Sequence, residues 1–258
     1  MNASLDDCLK TALDAADIAR EITGRHFRTR LAVDNKQDQS PVTIADRETE
    51  EAIRALIRSR HPGHGIFGEE GGNQIQEKHW HWIIDPIDGT RSFASGRPTF
   101  GTLIALMDAR KPALGVIDHG ILDERWVGIT GSGTTLNERP CATRRETRIG
   151  HCSIYATSPD MFDEESMIRF RELADRCQYR VWGGDCYCYG LLAAGYTDIV
   201  CEADLYPYDY LPLVPVVEGA GGIITDWDGN ALTLDSGDKV LATANEKLHL
   251  AALALLNR

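Results

Sequence analysis

The stretch Trp82-Ile83-Ile84-Asp85-Pro86-Ile87-Asp88-Gly89-Thr90 decides how the rest of the chain is read. Its apolar start predicts a buried strand that delivers two aspartates three residues apart. Pro86 is expected to fix a turn between them, and Gly89-Thr90 to aim backbone N–H groups at whatever the aspartates hold. Carboxylates at this spacing converge on hard cations, which prefer oxygen ligands. Free N–H groups where a turn enters a helix seat an anion. A cation site beside an anion seat describes a phosphate site. An acidic β-turn is the plainer alternative, and Asp-Gly alone would favour it. Five fixed identities, at about 5% per residue type, recur by chance at roughly 3 in 10 million positions, so the pattern favours chemistry.

Downstream, residues 100–107, 114–117 and 125–129 are apolar runs of strand length, broken by turns at 131–133 and 137–140. Upstream, Leu5, Leu9, Ala12, Ala16, Ala19 and Ile22 recur at helical spacing and predict a helix over 5–23 that stops near Gly24. The polar stretch 34–40 reads as an exposed, mobile loop whose Lys36 could cover part of a site. A second helix is predicted from Thr43 to about Ser59, with Ile53, Leu56 and Ile57 facing inward and His61-Pro62-Gly63 ending it. From Gly150 the texture alternates. Strands are expected at 152–156, 179–182, 197–201, 222–226 and 239–243, and helices at 165–177, 186–194, after Asp209, and at 246–256. This pattern predicts an α+β half over residues 1–140 and an α/β half over 141–258.

A chain of 258 residues, 43% hydrophobic and 26% charged, buries a sizeable core and is neither disordered nor collagen-like. Its longest apolar run, 250–256, falls short of the roughly 20 residues that span a membrane. The acidic start at Met1–Asp7 is unlike an export signal, so a cytoplasmic location without membrane attachment is expected. Seven cysteines then read as reduced thiols, and Cys186-Tyr187-Cys188 lacks the spacing of a zinc knuckle. Lys and Arg number 27 against 39 Asp and Glu, and the net charge of -12 disfavours nucleic acid as a partner. The same sign suits divalent cations or a cationic substrate.

Four motifs in a fixed order carry a resemblance that covers essentially the whole chain. They are Pro41-Val42-Thr43-Ile44-Ala45-Asp46, Gly68-Glu69-Glu70, Asp85 to Thr90, and Tyr208-Asp209-Tyr210 with Glu218-Gly219-Ala220-Gly221-Gly222. Together they resemble the inositol-monophosphatase-like phosphatases, which are magnesium-dependent and lithium-sensitive. The resemblance implies a layered α-β-α-β-α sandwich with the active site between two halves, two or three Mg²⁺ per site, and a homodimer. Glu69, Asp85 and the carbonyl of Ile87 would hold the first magnesium. Asp85 would bridge to a second, shared with Asp88 and Asp209. Asp46 and Thr90 would orient and deprotonate the attacking water. The N–H groups of Gly89 and Thr90 would hold the phosphate, beside Glu69, Asp88 and Asp209. Each acid has a plainer alternative: Asp46 as a helix N-terminal acid, Asp209 as an N-cap, Glu69 and Glu70 as solvated loop acids.

The motifs specify a phosphatase without specifying whose phosphate. Tyr208 stands where inositol-cleaving members carry tryptophan, Asp185 where they carry a small neutral residue, and Arg91-Ser92-Phe93 departs from their x-Asn-Phe. The run 208–215 with the tail 218–222 looks more like the histidinol-phosphate phosphatase branch. That likeness implies hydrolysis of L-histidinol phosphate in histidine biosynthesis. Glu202 and Asp185 would then face the substrate's amine and imidazole, although Asp185 could equally cap a helix starting at Cys186. Inositol 1-phosphate or another sugar phosphate is the second reading. A regulatory binding partner of transcription or RNA-processing machinery is the non-enzymatic one.

Overall fold

The computed structural model describes residues 4–29, 34–35, 41–74 and 79–258; of the loop expected over residues 34–40, Asp34–Asn35 form a short strand instead, and residues 36–40, Lys36 among them, lie outside the described residues. Helix α1 (Leu5–His26) opens on a capping box in which Ser4 Oγ accepts the Asp7 N–H at 3.1 Å and the Asp7 carboxylate accepts the Ser4 N–H. It runs through Gly24 rather than stopping there, because Gly24 does not adopt the left-handed conformation of a glycine cap. The chain leaves the helix at Phe27, whose ring packs against Phe93 and Phe100 at 5.9 and 5.2 Å. Short strands β1 (Asp34–Asn35) and β2 (Pro41–Val42) pair antiparallel and lead to α2 (Ile44–Arg60), capped by Thr43.

The first large sheet follows: β3 (Gly65–Gly68), β4 (Gly72–Asn73), β5 (Trp80–Asp88), the one-turn helix α3 (Thr90–Ala94), β6 (Gly101–Asp108), β7 (Lys111–His119), β8 (Glu124–Ile129), β9 (Gly133–Leu136) and β10 (Arg139–Pro140). Its strand order is β10-β9-β8-β7-β6-β5-β3-β4, with only the β3–β5 pair parallel. Pro86 makes no turn. The strand carries on through a bulge, so that three steps from Asp85 to Asp88 are matched by two from Leu103 to Gly101. A bulge is where a strand tolerates a residue without an N–H.

The second sheet and its helices are β11 (Ser153–Ala156), α4 (Glu164–Ala174), β12 (Tyr179–Trp182), α5 (Tyr187–Ala193), β13 (Ile199–Glu202), α6 (Pro207–Tyr210), α7 (Leu213–Gly219), β14 (Ile223–Asp226), β15 (Val240–Thr243) and α8 (Glu246–Leu256). The order is β12-β11-β13-β15-β14, with β11 parallel to both its neighbours and β15 antiparallel to both of its own.

Alternation along the strands sorts these elements into layers. Trp82, Ile84, Ile104 and Leu106 face α1 and α2, packing on Ala12, Ala16, Ile53 and Ile57. Ile83, Leu103 and Ala105 face the other way, onto Tyr189 of α5 and Val216 and Val217 of α7. Beyond the second sheet, Ile154, Ile199 and Leu241 pack on Phe170 of α4 and Leu248 of α8. The result is an α-β-α-β-α sandwich. Its middle layer lies flush on the first sheet: a Cβ on Gly115 would sit 2.1 Å from the Pro212 carbonyl oxygen, and one on Gly128 2.3 Å from that of Pro215. The seven cysteines are all free, with Cys152 and Cys201 buried in the outer core and Cys177 packed against it.

Candidate metal and phosphate site

The parity that buries Ile83 inward carries Asp85 to the same face, where it is 2% exposed. Its Oδ1 accepts the Ile87 N–H at 2.9 Å, which shapes the bulge. The bulge delivers Asp88, whose Oδ2 accepts the Cys186 N–H at 2.6 Å at the start of α5. Asp209 comes from the second half of the chain as the third residue of helix α6, not as its N-cap, and its Oδ2 accepts the Tyr206 N–H at 2.7 Å. Carboxylate oxygens of Asp85, Asp88 and Asp209 lie within 4.8 Å of one another.

Burial first, and after it the charges of Asp185 and Glu202, lift Asp88 to about 7; burial, with the charges of Asp88 and Glu69 after it, raises Asp85 and Asp209 well above the usual carboxylate range. Three hard oxygen donors crowded at such cost fit a small divalent cation of the magnesium class.

Glu69 sits in the turn after β3, its N–H on the Ile84 carbonyl at 3.2 Å, level with Asp85. It lies outside the three-aspartate group, yet its charge raises Asp85, Asp209 and Asp46. Sequence reasoning missed what stands behind this turn. Glu50 of α2, 2% exposed, accepts the N–H groups of Glu70 and Gly71 at 2.7 and 2.8 Å and the Arg54 guanidinium at 2.6 Å. Its spacing from Arg54 resembles an ordinary exposed helix pair, and only burial distinguishes it.

Asp46 is fully buried at the third position of α2. One of its oxygens completes the capping box, accepting the Thr43 N–H and hydroxyl at 2.8 and 2.6 Å. The other accepts the Thr90 hydroxyl at 3.3 Å, and the same hydroxyl lies 3.2 Å from the Ile87 carbonyl. Helix-capping and reach toward Thr90 are thus separate duties of separate oxygens. Gly89 begins α3 at φ 80, a left-handed conformation natural to glycine. A Cβ there would also stand 2.6 Å from the Asp185 carboxyl carbon. Asp88 lies two residues before Thr90, the first residue of α3, so the N–H groups that begin this helix belong to the same short stretch as the aspartates.

Asp185 does not cap α5. Its Oδ2 accepts the Ser92 and Thr99 hydroxyls at 2.6 and 3.2 Å, tying α3 to α5, while Asp88 takes the α5 N–H instead. Glu202 ends β13, 2% exposed. Its two oxygens accept the Thr157 N–H at 2.7 Å and the Tyr189 hydroxyl at 2.9 Å, and burial lifts it to about 7. Glu202, Asp185, Asp88 and Asp209 line one cavity of about 70 Å³ with Met161 and Leu205. Tyr208 packs edge-on against Phe67 at 5.9 Å and stacks on Tyr206 at 5.4 Å. Trp182 packs against Phe162 and Phe170 in the outer core.

Among the described residues one other group gathers with metal-ligand chemistry, Cys8, His61 and His64. It is knit into packing. Thr11 Oγ1 holds His61 Nε2 at 2.9 Å, the Trp82 indole donates to His64 Nδ1 at 3.1 Å, and the two imidazoles stack at 4.7 Å.

No helix among the described residues is long and apolar enough to cross a membrane. Residues 4–258 match the model of the inositol monophosphatase family. The bifunctional phosphatase IMPL2, chloroplastic, of Arabidopsis thaliana is 45% identical over 231 residues, covering 89% of this chain and 67% of that protein. The histidinol-phosphatase of Chlorobaculum parvum is 36% identical, covering 91% of each, and that of Mycobacterium tuberculosis is 34% identical, covering 97% and 98%. The solved structure of an inositol monophosphatase from Zymomonas mobilis superimposes over 100% of both chains with a TM-score of 0.91 and 40% identity. The layered sandwich is therefore the fold of those enzymes, and the chain belongs to the inositol monophosphatase family of phosphatases.

Proposed function

We propose that this chain is a magnesium-dependent phosphomonoesterase that hydrolyses L-histidinol phosphate to L-histidinol and phosphate. The observation that carries the phosphatase chemistry is the meeting of Asp85, Asp88 and Asp209 in front of the α3 N-terminus. Glu69, Asp85 and the Ile87 carbonyl are assigned to one magnesium, and Asp85, Asp88 and Asp209 to another. Bound there, the cations supply Lewis acidity that neutralises the phosphate dianion and lowers the pKa of water.

The chain's own residues do the rest. N–H groups of Gly89 and Thr90 hold the phosphate oxygens, with the α3 dipole in their favour. Thr90 Oγ accepts a proton from the attacking water as it passes its own to Asp46 Oδ1, the contact it already makes. A bond forms from the water oxygen to phosphorus, and the bond from phosphorus to the alcohol oxygen breaks; the leaving alkoxide takes a proton from solvent water, and Asp46 returns the proton it received to solvent. Residues 1–140 and 141–258 are proposed as the two halves that supply, respectively, most of the ligands and the pocket with Asp209.

Histidinol phosphate is favoured by the relatives named histidinol-phosphatase and by Glu202. Each Glu202 oxygen has one lone pair left after its bonds to Thr157 and Tyr189, and the carboxylate lines the cavity beside Asp88. A substrate amine would hold it ionised and gain a charge-assisted hydrogen bond, about 1.5–3 kcal/mol against about 1 for a neutral hydroxyl. That difference is roughly tenfold in affinity. Asp185 is already held by two hydroxyls, so it is assigned a supporting place in the pocket. The Zymomonas mobilis likeness favours a second reading, inositol 1-phosphate or another sugar phosphate.

Phosphate release from both esters at equal Mg²⁺ separates these readings. The proposal expects kcat/KM at least tenfold higher for histidinol phosphate, with Glu202→Gln eroding that preference more than it slows an aryl phosphate. Equal or faster turnover of inositol 1-phosphate by the unaltered protein refutes the histidinol assignment.

A further inference from the structure

We infer that the buried pair Glu50–Arg54 is a positioning device for Glu69, setting the geometry of a metal site to which neither residue contributes a ligand. This rests on the proposed role of Glu69 in metal binding and extends it to residues outside the motifs.

Successive turns of α2 carry the parts on one side of the helix. Asp46 reaches Thr90; Glu50, one turn on, reaches the loop after β3; Arg54, another turn on, reaches its far end. Every oxygen of Glu50 is engaged there. Oε2 accepts the Glu70 N–H, Oε1 accepts the Gly71 N–H and the Arg54 Nε–H, and Arg54 Nη2 donates to the Gly72 carbonyl at 2.7 Å. The loop is fastened on both flanks of Glu69: before it by the parallel pairing of Gly68 with Ile84, after it by Glu50.

The fit is close enough to dictate sequence. A Cβ on Gly68 would lie 2.4 Å from Glu50 Oε1, and one on Gly71 2.8 Å from Arg54 Nε. These two glycines are needed because the ion pair lies against the loop backbone, not because of their own φ angles. A flexible loop acid would lose backbone freedom each time it gathered with Asp85; one clamped at the neighbouring N–H groups has already lost it.

The test uses Mn²⁺ alone as the probe, with free Mn²⁺ followed by electron paramagnetic resonance in the absence of any ester. Glu50→Gln keeps the side chain's size and one acceptor but loses the ion pair. It is expected to weaken Mn²⁺ binding by roughly 10–100-fold, the usual effect of removing a group that orients a ligand. In a Glu69→Gln background the same change is expected to have little further effect, since the residue it positions is gone.

Arg54→Lys, which retains charge but not the forked donor, gives a second, milder arm on a protein checked for folding by circular dichroism. Unchanged Mn²⁺ affinity in folded Glu50→Gln overturns the inference, and so does an undiminished loss in the Glu69→Gln background. If Glu69→Gln and Asp85→Asn themselves leave Mn²⁺ affinity intact, it is the metal reading that fails.

Discussion

Replacing Asp46 by asparagine isolates proton transfer from everything else the residue does. Its Oδ2 completes the capping box of α2 through the Thr43 N–H and hydroxyl, and an amide oxygen turned the same way keeps both bonds. The remaining atom facing Thr90 changes from acceptor oxygen to donor nitrogen. Thr90 has a single hydroxyl proton, and in the native protein Asp46 Oδ1 at 3.3 Å and the Ile87 carbonyl at 3.2 Å compete for it. In Asp46→Asn the hydroxyl points its proton at Ile87 and accepts from the amide, so the relay from water through Thr90 has no terminus.

The two consequences differ in size. Loss of a positioned general base costs about 10²–10⁴ in rate, or roughly 2.7–5.4 kcal/mol of barrier at 1.36 per tenfold. Stability should change by no more than about 1 kcal/mol, the scale of a helix cap, because the cap survives and a buried carboxyl whose ionised form is disfavoured becomes neutral. In a chain of this length that is a melting shift of about 2–4 °C. The assay is phosphate release at saturating Mg²⁺, with melting of the same preparation. Turnover within tenfold of the native protein refutes the relay. A loss seen only as a higher Mg²⁺ requirement would instead make Asp46 a metal-site residue.

Asp85→Asn should abolish turnover yet leave the metal-free protein at least as stable as native, since it removes one of several mutually repelling buried acids; hydrolysis at the native rate would contradict the shared-ligand role. Gly89→Ala should lower kcat/KM at least about tenfold and cost roughly 1–3 kcal/mol, from left-handed strain and a methyl on Asp185. Pairing it with Asp185→Ser should restore part of the loss, and no restoration would argue that strain alone acts. His119 and His249 are both held down to about 4 by burial, from 6.5. A histidine lowered in the folded state stabilises fully above the unfolded value and loses that contribution as pH falls. Near pH 5.5 each should therefore cost about 1.4 kcal/mol of stability relative to neutral pH. Urea titrations of native and His249→Gln protein at both pH values check this: the variant should lose about that much less on acidification, and parallel losses would rule out His249.

The fold was legible wherever burial follows a short period. Helix α8 occupies its predicted residues because Leu248, Ala252, Leu255 and Leu256 recur at helical spacing, and strand β12 coincides with the expected run 179–182. It was illegible where a single residue admits two conformations. Gly24 suggests a stop, but a glycine cap requires the left-handed conformation that Gly24 does not adopt, and the chain leaves the helix three residues later, where the Phe27 ring packs against Phe93 and Phe100. Pro86 was read as a turn, although a bulge between paired strands accepts the missing N–H equally well. The helix around Asp209 begins earlier than expected because Pro207 suits its first turn.

The same division runs through the site, and its cause is who the partner is. Asp85, Asp88, Gly89 and Thr90 lie within six residues, so their joint chemistry is written in one stretch of sequence. Asp46 was accessible because it ends the motif Pro41-Val42-Thr43-Ile44-Ala45-Asp46. Glu50 had no such trace, since two of its partners are backbone N–H groups some twenty residues on, and a backbone group has no identity in the sequence. Asp185 was placed at a helix start, where a carboxylate ordinarily caps. What the sequence could not reveal is that Asp88, from the other sheet, reaches the Cys186 N–H first. That bond frees Asp185 to accept Ser92 and Thr99, the hydroxyls that hold α3 against α5. One aspartate thus joins the acid cluster and also displaces another from its expected role. The departures at Ser92 and Asp185, read separately as marks of substrate choice, are two ends of one hydrogen bond. Substrate discrimination is therefore better sought at Glu202, whose carboxylate lines the cavity with one bond at each oxygen, than at Asp185.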